Sequence, residues 1–111
     1  MERVEQYKTI VRDILNRHVE FEKGQDEVRT VPIFDNEHGR YQLVRHGWYG
    51  EQRVFGILVH VEVREGKVWI ERDGIETGIA QELMTRGIPK THIVLGFRSP
   101  YMRQFMDFAV A

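Results

Sequence analysis

The sequence contains no cysteine and a single serine, Ser99. Without cysteine the chain can form neither disulfides nor thiolate zinc sites, and such a composition is typical of the reducing cytoplasm. A proline follows Ser99, which is typical of a helix N-cap rather than of a catalytic nucleophile. The common forms of cysteine and serine catalysis therefore have no candidate residue here.

Long apolar runs and an excess of charge are also missing. The longest apolar stretch is far shorter than the roughly 20 residues of a membrane-spanning helix, and the charged first residues predict no signal peptide. We therefore expect a soluble, cytoplasmic protein with no membrane contact. Sixteen Lys and Arg residues stand against seventeen Asp and Glu residues. This balance disfavours tight binding of DNA by the chain alone, because phosphate contacts need a basic excess.

What is present predicts one domain over residues 1–111, since 41% of the residues are hydrophobic and can form a single core. An amphipathic helix is predicted over roughly residues 2–20, because apolar side chains recur there at helical spacing. Those residues are Val4, Tyr7, Val11, Ile14, Leu15 and His18. A polar connection over residues 22–27 ends this helix.

Four β-strands are predicted after the helix, at Val28–Asp35, Arg40–Trp48, Val54–Arg64 and Lys67–Asp73. Pro32 has no N–H to donate, so the first strand should lie at a sheet edge. Glu65 and Gly66 predict a two-residue turn between the last two strands. We interpret the four strands as an antiparallel meander.

The register of the last two strands follows from their alternating pattern. Pairing Arg64 with Lys67 puts four aliphatic residues on one face, and a one-residue slip would mix the two faces. The aliphatic residues are Val61, Val63, Val68 and Ile70. The other face receives His60, Glu62, Trp69 and Glu71, with His60 opposite Glu71.

Two helices are predicted after the strands. Thr77 is a candidate N-cap for the first of them, and Gly87 followed by Pro89 ends it. A short buried segment, Ile93–Leu95, leads to the N-cap Ser99 and to a last helix with Tyr101, Phe105 and Phe108 as its inner stripe. The fold class is therefore α+β, a four-stranded antiparallel β-meander packed against an N-terminal helix and two C-terminal helices.

The best candidate for chemistry is the set His60, Glu62 and Glu71 on one face of the hairpin. An imidazole and two carboxylates can hold a metal or act as acid and base, but cross-strand charge pairing explains them more simply. The chain has no His-x-x-x-His pair and no glycine-rich phosphate loop. We therefore predict no catalytic residues, no metal and no cofactor.

Three aromatic residues are candidates for contact with a partner. Trp48 and Tyr49 stand between two glycines, where aromatic rings can stack on bases or anchor a protein; alternatively, Trp48 closes one end of the core. Trp69 either lies under a helix or marks a contact surface. The predicted contact set is Trp48, Tyr49, Trp69, His60, Glu62 and Glu71.

Five arginines follow the same strands and either gather into a phosphate-binding surface or belong to an ordinary solvated face. They are Arg40, Arg45, Arg53, Arg64 and Arg72. Acidic residues alternate with them along the chain, which favours the solvated face.

One stretch of the sequence resembles a known family. Gly74–Gly96 contains Gly-Ile-Ala, Glu-Leu, Gly-Ile-Pro-Lys and Ile-Val-Leu in this order. It is similar to the XisI family, small cyanobacterial proteins named as controlling factors for excision of the fdxN DNA element. The resemblance continues through Gly47-Trp48 and Arg53-Val-Phe-Gly to Ser99-Pro-Tyr, and thus covers nearly the whole chain.

This resemblance implies an accessory role in programmed DNA rearrangement, beside a separate site-specific recombinase and with a partner protein named XisH. Together with the missing catalytic residues, it favours a non-enzymatic factor that acts through this partner. Two alternatives stay open, a direct DNA-binding factor and a small enzyme that uses His60 with Glu62 or Glu71, with or without a metal. Homo-oligomerisation is also open.

Overall fold

A six-stranded sheet forms the centre of the protein, in a computed structural model that describes residues 2–22 and 27–111. The strands are β1 (Glu20–Glu22), β2 (Glu27–Asp35), β3 (Arg40–Tyr49), β4 (Gln52–Arg64), β5 (Lys67–Asp73) and β6 (Ile93–Leu95). The described residues form three α-helices, α1 (Glu2–Arg17), α2 (Ile79–Thr85) and α3 (Pro100–Arg103), and one 3₁₀ turn, Lys90–His92. None of these helices is long and apolar enough to cross a bilayer.

The α+β class and the antiparallel meander, β2 to β5, are confirmed. The sheet is larger than predicted and mixed, because β1 adds an antiparallel edge strand and β6 pairs in parallel with β5. The connection from β5 to β6 runs through α2, as a parallel pair requires a long crossover. In the predicted connection over 22–27, Glu22 and Glu27 belong to strands, and residues 23–26 lie outside the described part of the chain.

Pro32 does not lie in an edge strand, contrary to the prediction, because β1 adds to the sheet beside β2. However, β1 as described pairs only with Val28–Thr30. Pro32 is therefore located beyond the end of β1, where a missing N–H removes no hydrogen bond from that side of the ladder.

The core lies between one face of the sheet and the helices α1 and α2. The predicted apolar stripe of α1 is confirmed for Tyr7, Val11, Ile14 and Leu15, which are buried, whereas His18 lies beyond the end of the helix. The helix ends at Arg17, about three residues earlier than predicted, because Glu20 already belongs to β1. Burying each large aliphatic side chain in this layer stabilises the fold by about 1.5–3 kcal/mol.

The hairpin of β4 and β5 has the predicted turn and the predicted register next to it. Glu65 and Gly66 have φ values of 54° and 73°, as a type I′ turn requires. Arg64 pairs with Lys67 and Val61 with Ile70, but the register then shifts at a β-bulge. His60 consequently pairs with Arg72 and not with Glu71. The predicted pair was wrong because Glu71 is an extra residue in β5 at the bulge.

The start of α2 differs from the prediction, whereas its end is confirmed. Thr77 is not the N-cap; the carboxylate of Asp73 instead accepts hydrogen bonds from the backbone N–H groups of Ile75 (3.0 Å) and Ile79 (2.8 Å). At the other end Gly87 has φ 97°. The backbone N–H of Ile88 donates to the carbonyl of Leu83, which is the Schellman arrangement.

The last helix begins as predicted and ends early. Ser99 Oγ accepts a hydrogen bond from the backbone N–H of Met102 at 3.2 Å, which confirms the N-cap. The predicted inner stripe is wrong for Tyr101 and Phe105, which are 67% and 66% exposed, whereas Phe108 is partly buried against the core. A helix of four residues ends before residues spaced four apart can form a buried stripe.

Candidate protein-interaction surface

The face of the sheet that α1 and α2 leave uncovered carries several exposed apolar side chains. We call the outward side chains of β2, β3 and β4 the open face; they occupy alternate positions in Glu27–Asp35 and Arg40–Trp48, and in β4 they are Arg53, Phe55, Ile57, His60 and Glu62. Phe55 is 72% exposed, and Ile33 and Ile57 are also exposed. Contiguous apolar patches on soluble proteins usually mark sites of interaction.

Trp48 and Tyr49 lie at the end of β3 rather than in a loop, and both side chains are exposed. Trp48, with 48% of its surface accessible, does not close the end of the core. The Arg53 guanidinium lies between two rings of the open face, 5.3 Å from the centroid of Trp48 and 5.4 Å from that of Phe55. Such cation–π contacts stabilise by about 0.5–1 kcal/mol at exposed sites, so they hold these rings in place while leaving them accessible.

His60 and Glu62 lie at the opposite end of the open face and have partners within the chain. His60 Nδ1 lies 3.0 Å from Gln42 Oε1, and His60 Nε2 lies 3.0 Å from Glu62 Oε2. Arg64 donates to Glu62 Oε1 at 3.2 Å and to Glu71 Oε2 at 3.4 Å. The three predicted residues thus belong to one network, in which Arg64 connects Glu71 to the other two. No group of three or more His, Asp or Glu side chains that could hold a metal ion occurs among residues 2–22 and 27–111.

The charge of Glu62 is stabilised by this network. Partial burial raises the pKa of Glu62, but the hydrogen bond from His60 and the positive charges of His60, Arg64 and Arg40 outweigh burial. The net pKa of Glu62 is therefore lower than the value of 4.5 for the free side chain. The ionised form of Glu62 consequently stabilises the folded state.

We expect Glu62 to make the protein less stable in acid. Its contribution is complete above the unfolded pKa of 4.5 and is lost as the pH falls through the lower, folded pKa. Glu62→Gln should therefore reduce the loss of unfolding free energy on acidification, measured by urea denaturation at several pH values. Glu76→Gln, in an exposed turn, is the control. An acid-induced loss as large in Glu62→Gln as in the wild type would contradict this role.

Trp69 is buried, in agreement with the alternative that it lies under a helix and not with the alternative that it marks a contact surface. Its side chain is only 8% exposed. The guanidinium of Arg64 lies 3.7 Å from the ring centroid and that of Arg103 lies 5.6 Å away. The C-terminal segment that contains Arg103 therefore covers the start of β5. Trp69 lies between this segment and the sheet and supports the segment from the sheet side.

Four of the five arginines contact groups of the same chain, and the fifth, Arg40, lies in β3 directly opposite Glu62. Arg45 contacts the ring of Tyr49, while Arg53 contacts Trp48 on the open face. Arg64 bonds to carboxylates, and Arg72 donates to the carbonyl oxygen of Ile57 at 2.7 Å. This distribution agrees with the interpretation of an ordinary solvated face.

Two groups of exposed residues were missed in the sequence. Phe55 and Ile57 stand in an apolar run, Val54–Val59, which indicates a strand that is apolar on both faces. The second group follows β6, and we call it the C-terminal cluster: Phe97, Tyr101, Met102 and Phe105. The rings of Tyr101 and Phe105 meet edge to face at 5.2 Å. The sequence contains no signal that distinguishes this cluster from a buried stripe.

Comparison with known proteins identifies the family. Residues 1–110 match the family described as XisI protein. The chain belongs to the XisI family. No curated protein matches it.

Two solved structures of XisI proteins from Anabaena variabilis ATCC 29413 share the fold. A XisI-like protein is 32% identical, with a TM-score of 0.88 over 97% of this chain and 99% of the other. The second protein is described as fdxN element excision controlling factor XisI. It is 28% identical, with a TM-score of 0.78 over 98% of this chain and 99% of the other.

Proposed function

We propose that this XisI-family protein is a non-enzymatic controlling factor for excision of DNA elements of the fdxN type, and that it acts by binding a protein partner of the XisH type. The observation that carries the proposal is the C-terminal cluster, in which two aromatic side chains are about two-thirds exposed. Aromatic anchors that become buried on binding supply much of the affinity of protein interfaces.

The C-terminal cluster is better suited to this contact than the two aromatic residues at the end of β3. Arginines of the same chain already cover part of Trp48 and Tyr49, whereas the ring contact of Tyr101 and Phe105 is with each other. The cluster adjoins two cations, Arg98 over the ring of Phe97 and Arg103 in α3. We therefore expect a partner surface with apolar pockets and an acidic rim.

Two further observations favour binding over chemistry and over direct DNA contact. The depression beside His60 has a volume of about 200 Å³, less than the roughly 300–1,000 Å³ of most small-molecule sites. The net charge is −1. Even basic proteins bind non-specific DNA with a Kd of only about 10⁻⁴–10⁻⁶ M at physiological salt, so a nearly neutral chain should bind it more weakly still.

The test is a titration of the purified protein with a XisH-type protein and with duplex DNA, at two salt concentrations. We expect partner binding that changes little with salt, because its energy comes from desolvated apolar contact. Tyr101→Ala with Phe105→Ala should weaken it at least tenfold, since hot-spot aromatics contribute about 2 kcal/mol or more each. The matched control is the double substitution Trp48→Ala with Tyr49→Ala, which removes two exposed aromatic side chains outside the C-terminal cluster. Strongly salt-dependent DNA binding without partner binding would refute the proposal.

A further inference from the structure

The register of the sheet arranges the open face in five rows of three residues. The middle row is apolar and consists of Val31, Val44 and Ile57, which are directly paired across β2, β3 and β4. Towards the β3–β4 turn, the next rows are Arg29–His46–Phe55 and Glu27–Trp48–Arg53. In the other direction the rows are Ile33–Gln42–His60 and Asp35–Arg40–Glu62. The charged rows therefore lie at the two ends, and the apolar row lies between them.

We propose that the open face binds the open face of a second copy of this chain. The two-fold axis would lie between the two sheets, perpendicular to the strands, at the level of the middle row. Each strand then faces the same strand of the other copy in the opposite direction, and the two apolar rows meet. Sheets that pack face to face in this aligned manner are separated by about 10 Å, and a two-fold interface uses the same patch on both copies.

Strand β4 shows the complementarity most clearly. Arg53 stands two rows before Ile57, and Glu62 stands two rows after it, because the register shift accommodates one extra residue, Leu58. The two-fold axis therefore places Arg53 of each copy opposite Glu62 of the other. It also places Phe55 opposite His60, so that an aromatic ring meets an imidazole on each side of the axis.

The surroundings of Arg53 favour an acidic group of a second copy as a further contact of its guanidinium. Within the described part of the chain, its guanidinium contacts the rings of Trp48 and Phe55 and the carbonyl oxygen of Gly47. None of these groups neutralises its charge, while the rings hold the guanidinium at the surface. A pre-positioned guanidinium is well suited to a carboxylate, with which it can form two parallel hydrogen bonds.

The end rows of the other two strands, β3 and β2, contribute one favourable and one unfavourable pair. Trp48 would face Arg40 of the second copy, which allows a further cation–π contact. Glu27 would face Asp35, a pair of like charges at the rim, where solvent screens the repulsion. Fifteen residues per copy are fewer than the 20–30 of an interface of standard size. We therefore expect a reversible dimer with a Kd in the micromolar range.

The first test is sedimentation velocity over a series of concentrations that spans the micromolar range. The mass should rise from that of the 13.2 kDa chain to twice this value. Phe55→Glu should abolish the rise, since it puts two charges beside the apolar rows. Tyr101→Glu is the matched control, because Tyr101 is similarly exposed but lies outside the open face. A wild type that stays monomeric, or a dimer that survives Phe55→Glu, would overturn the proposal.

A charge exchange tests the register. In homodimers of Arg53→Glu, and likewise of Glu62→Arg, like charges face each other at both ends, so each variant alone should be monomeric. In a mixture of the two variants, opposite charges face each other at both ends of the heterodimer. Sedimentation of the mixture should therefore show a dimer, with circular dichroism confirming that both variants are folded. Folded variants that remain monomeric when mixed would rule out this pairing, whatever the outcome with the XisH-type partner.

Discussion

Replacing Val61 by aspartate is expected to reduce the free energy of unfolding by on the order of 3 kcal/mol. Val61 has no exposed surface and packs in the core among residues of the sheet and α1. A carboxylate at this position has no partner and has to be buried charged or protonated, and either state is costly. Urea denaturation followed by circular dichroism measures the effect.

The preceding residue provides the control, because its side chain points to the opposite face of β4. His60→Ala removes the contacts with Gln42 and Glu62 at the half-buried rim of the open face. We expect it to lower the unfolding free energy by about 1 kcal/mol or less. If His60→Ala were the more damaging of the two changes, the assignment of the two faces would be wrong.

Gly47→Ala is expected to have a similarly large effect, for a steric reason. A Cβ at Gly47 would lie 2.0 Å from the carbonyl oxygen of Glu27 and 2.7 Å from the Cα of Val28. Both atoms belong to the backbone of β2, so the two strands would have to separate. In addition, φ at Gly47 is 150°, a conformation that side chains disfavour. We expect a loss of on the order of 3 kcal/mol in unfolding free energy.

Gly56→Ala is the matched control for this substitution. Gly56 lies in the neighbouring strand β4 and pairs with Arg45. A Cβ there would meet no atom within 4 Å, and its φ lies outside the region that favours glycine. Alanine should therefore leave stability unchanged or raise it by about 0.5 kcal/mol, since glycine is unfavourable inside a strand. Equal stability of the two variants in urea would show that β2 and β3 are not in close contact at Gly47.

Local sequence patterns predicted those parts of the fold that depend on residues close together in the sequence. The turn at Glu65-Gly66 and the pairs next to it follow from alternation and turn chemistry alone. The bulge that moves His60 away from Glu71 does not follow from these patterns. Both registers, with His60 opposite Glu71 or opposite Arg72, place two polar residues opposite each other. Asp73 caps α2 from the end of a strand, and β6 pairs with a strand more than twenty residues earlier in the sequence. Neither contact leaves a signal in the local pattern.

The candidate surface was predicted only in part. Trp48 and Tyr49 were predicted as contact residues because glycines flank them, and both are exposed. Phe55 and Tyr101 were not predicted as contact residues, because apolar residues at regular spacing indicate a core unless the structure shows that nothing covers them. Exposure of an aromatic side chain depends on which other elements reach it, and that information is not contained in spacing.

The cap that Asp73 provides connects the first turn of α2 to the end of β5. A helix of seven residues is too short to persist by itself in water, and the carboxylate that holds its first turn is at the end of β5. We therefore expect α2 to become stable only after β4 and β5 have paired. Amide protons of α2 should consequently gain protection later than those of the hairpin during refolding, and α2 should be among the first segments to open in the native state.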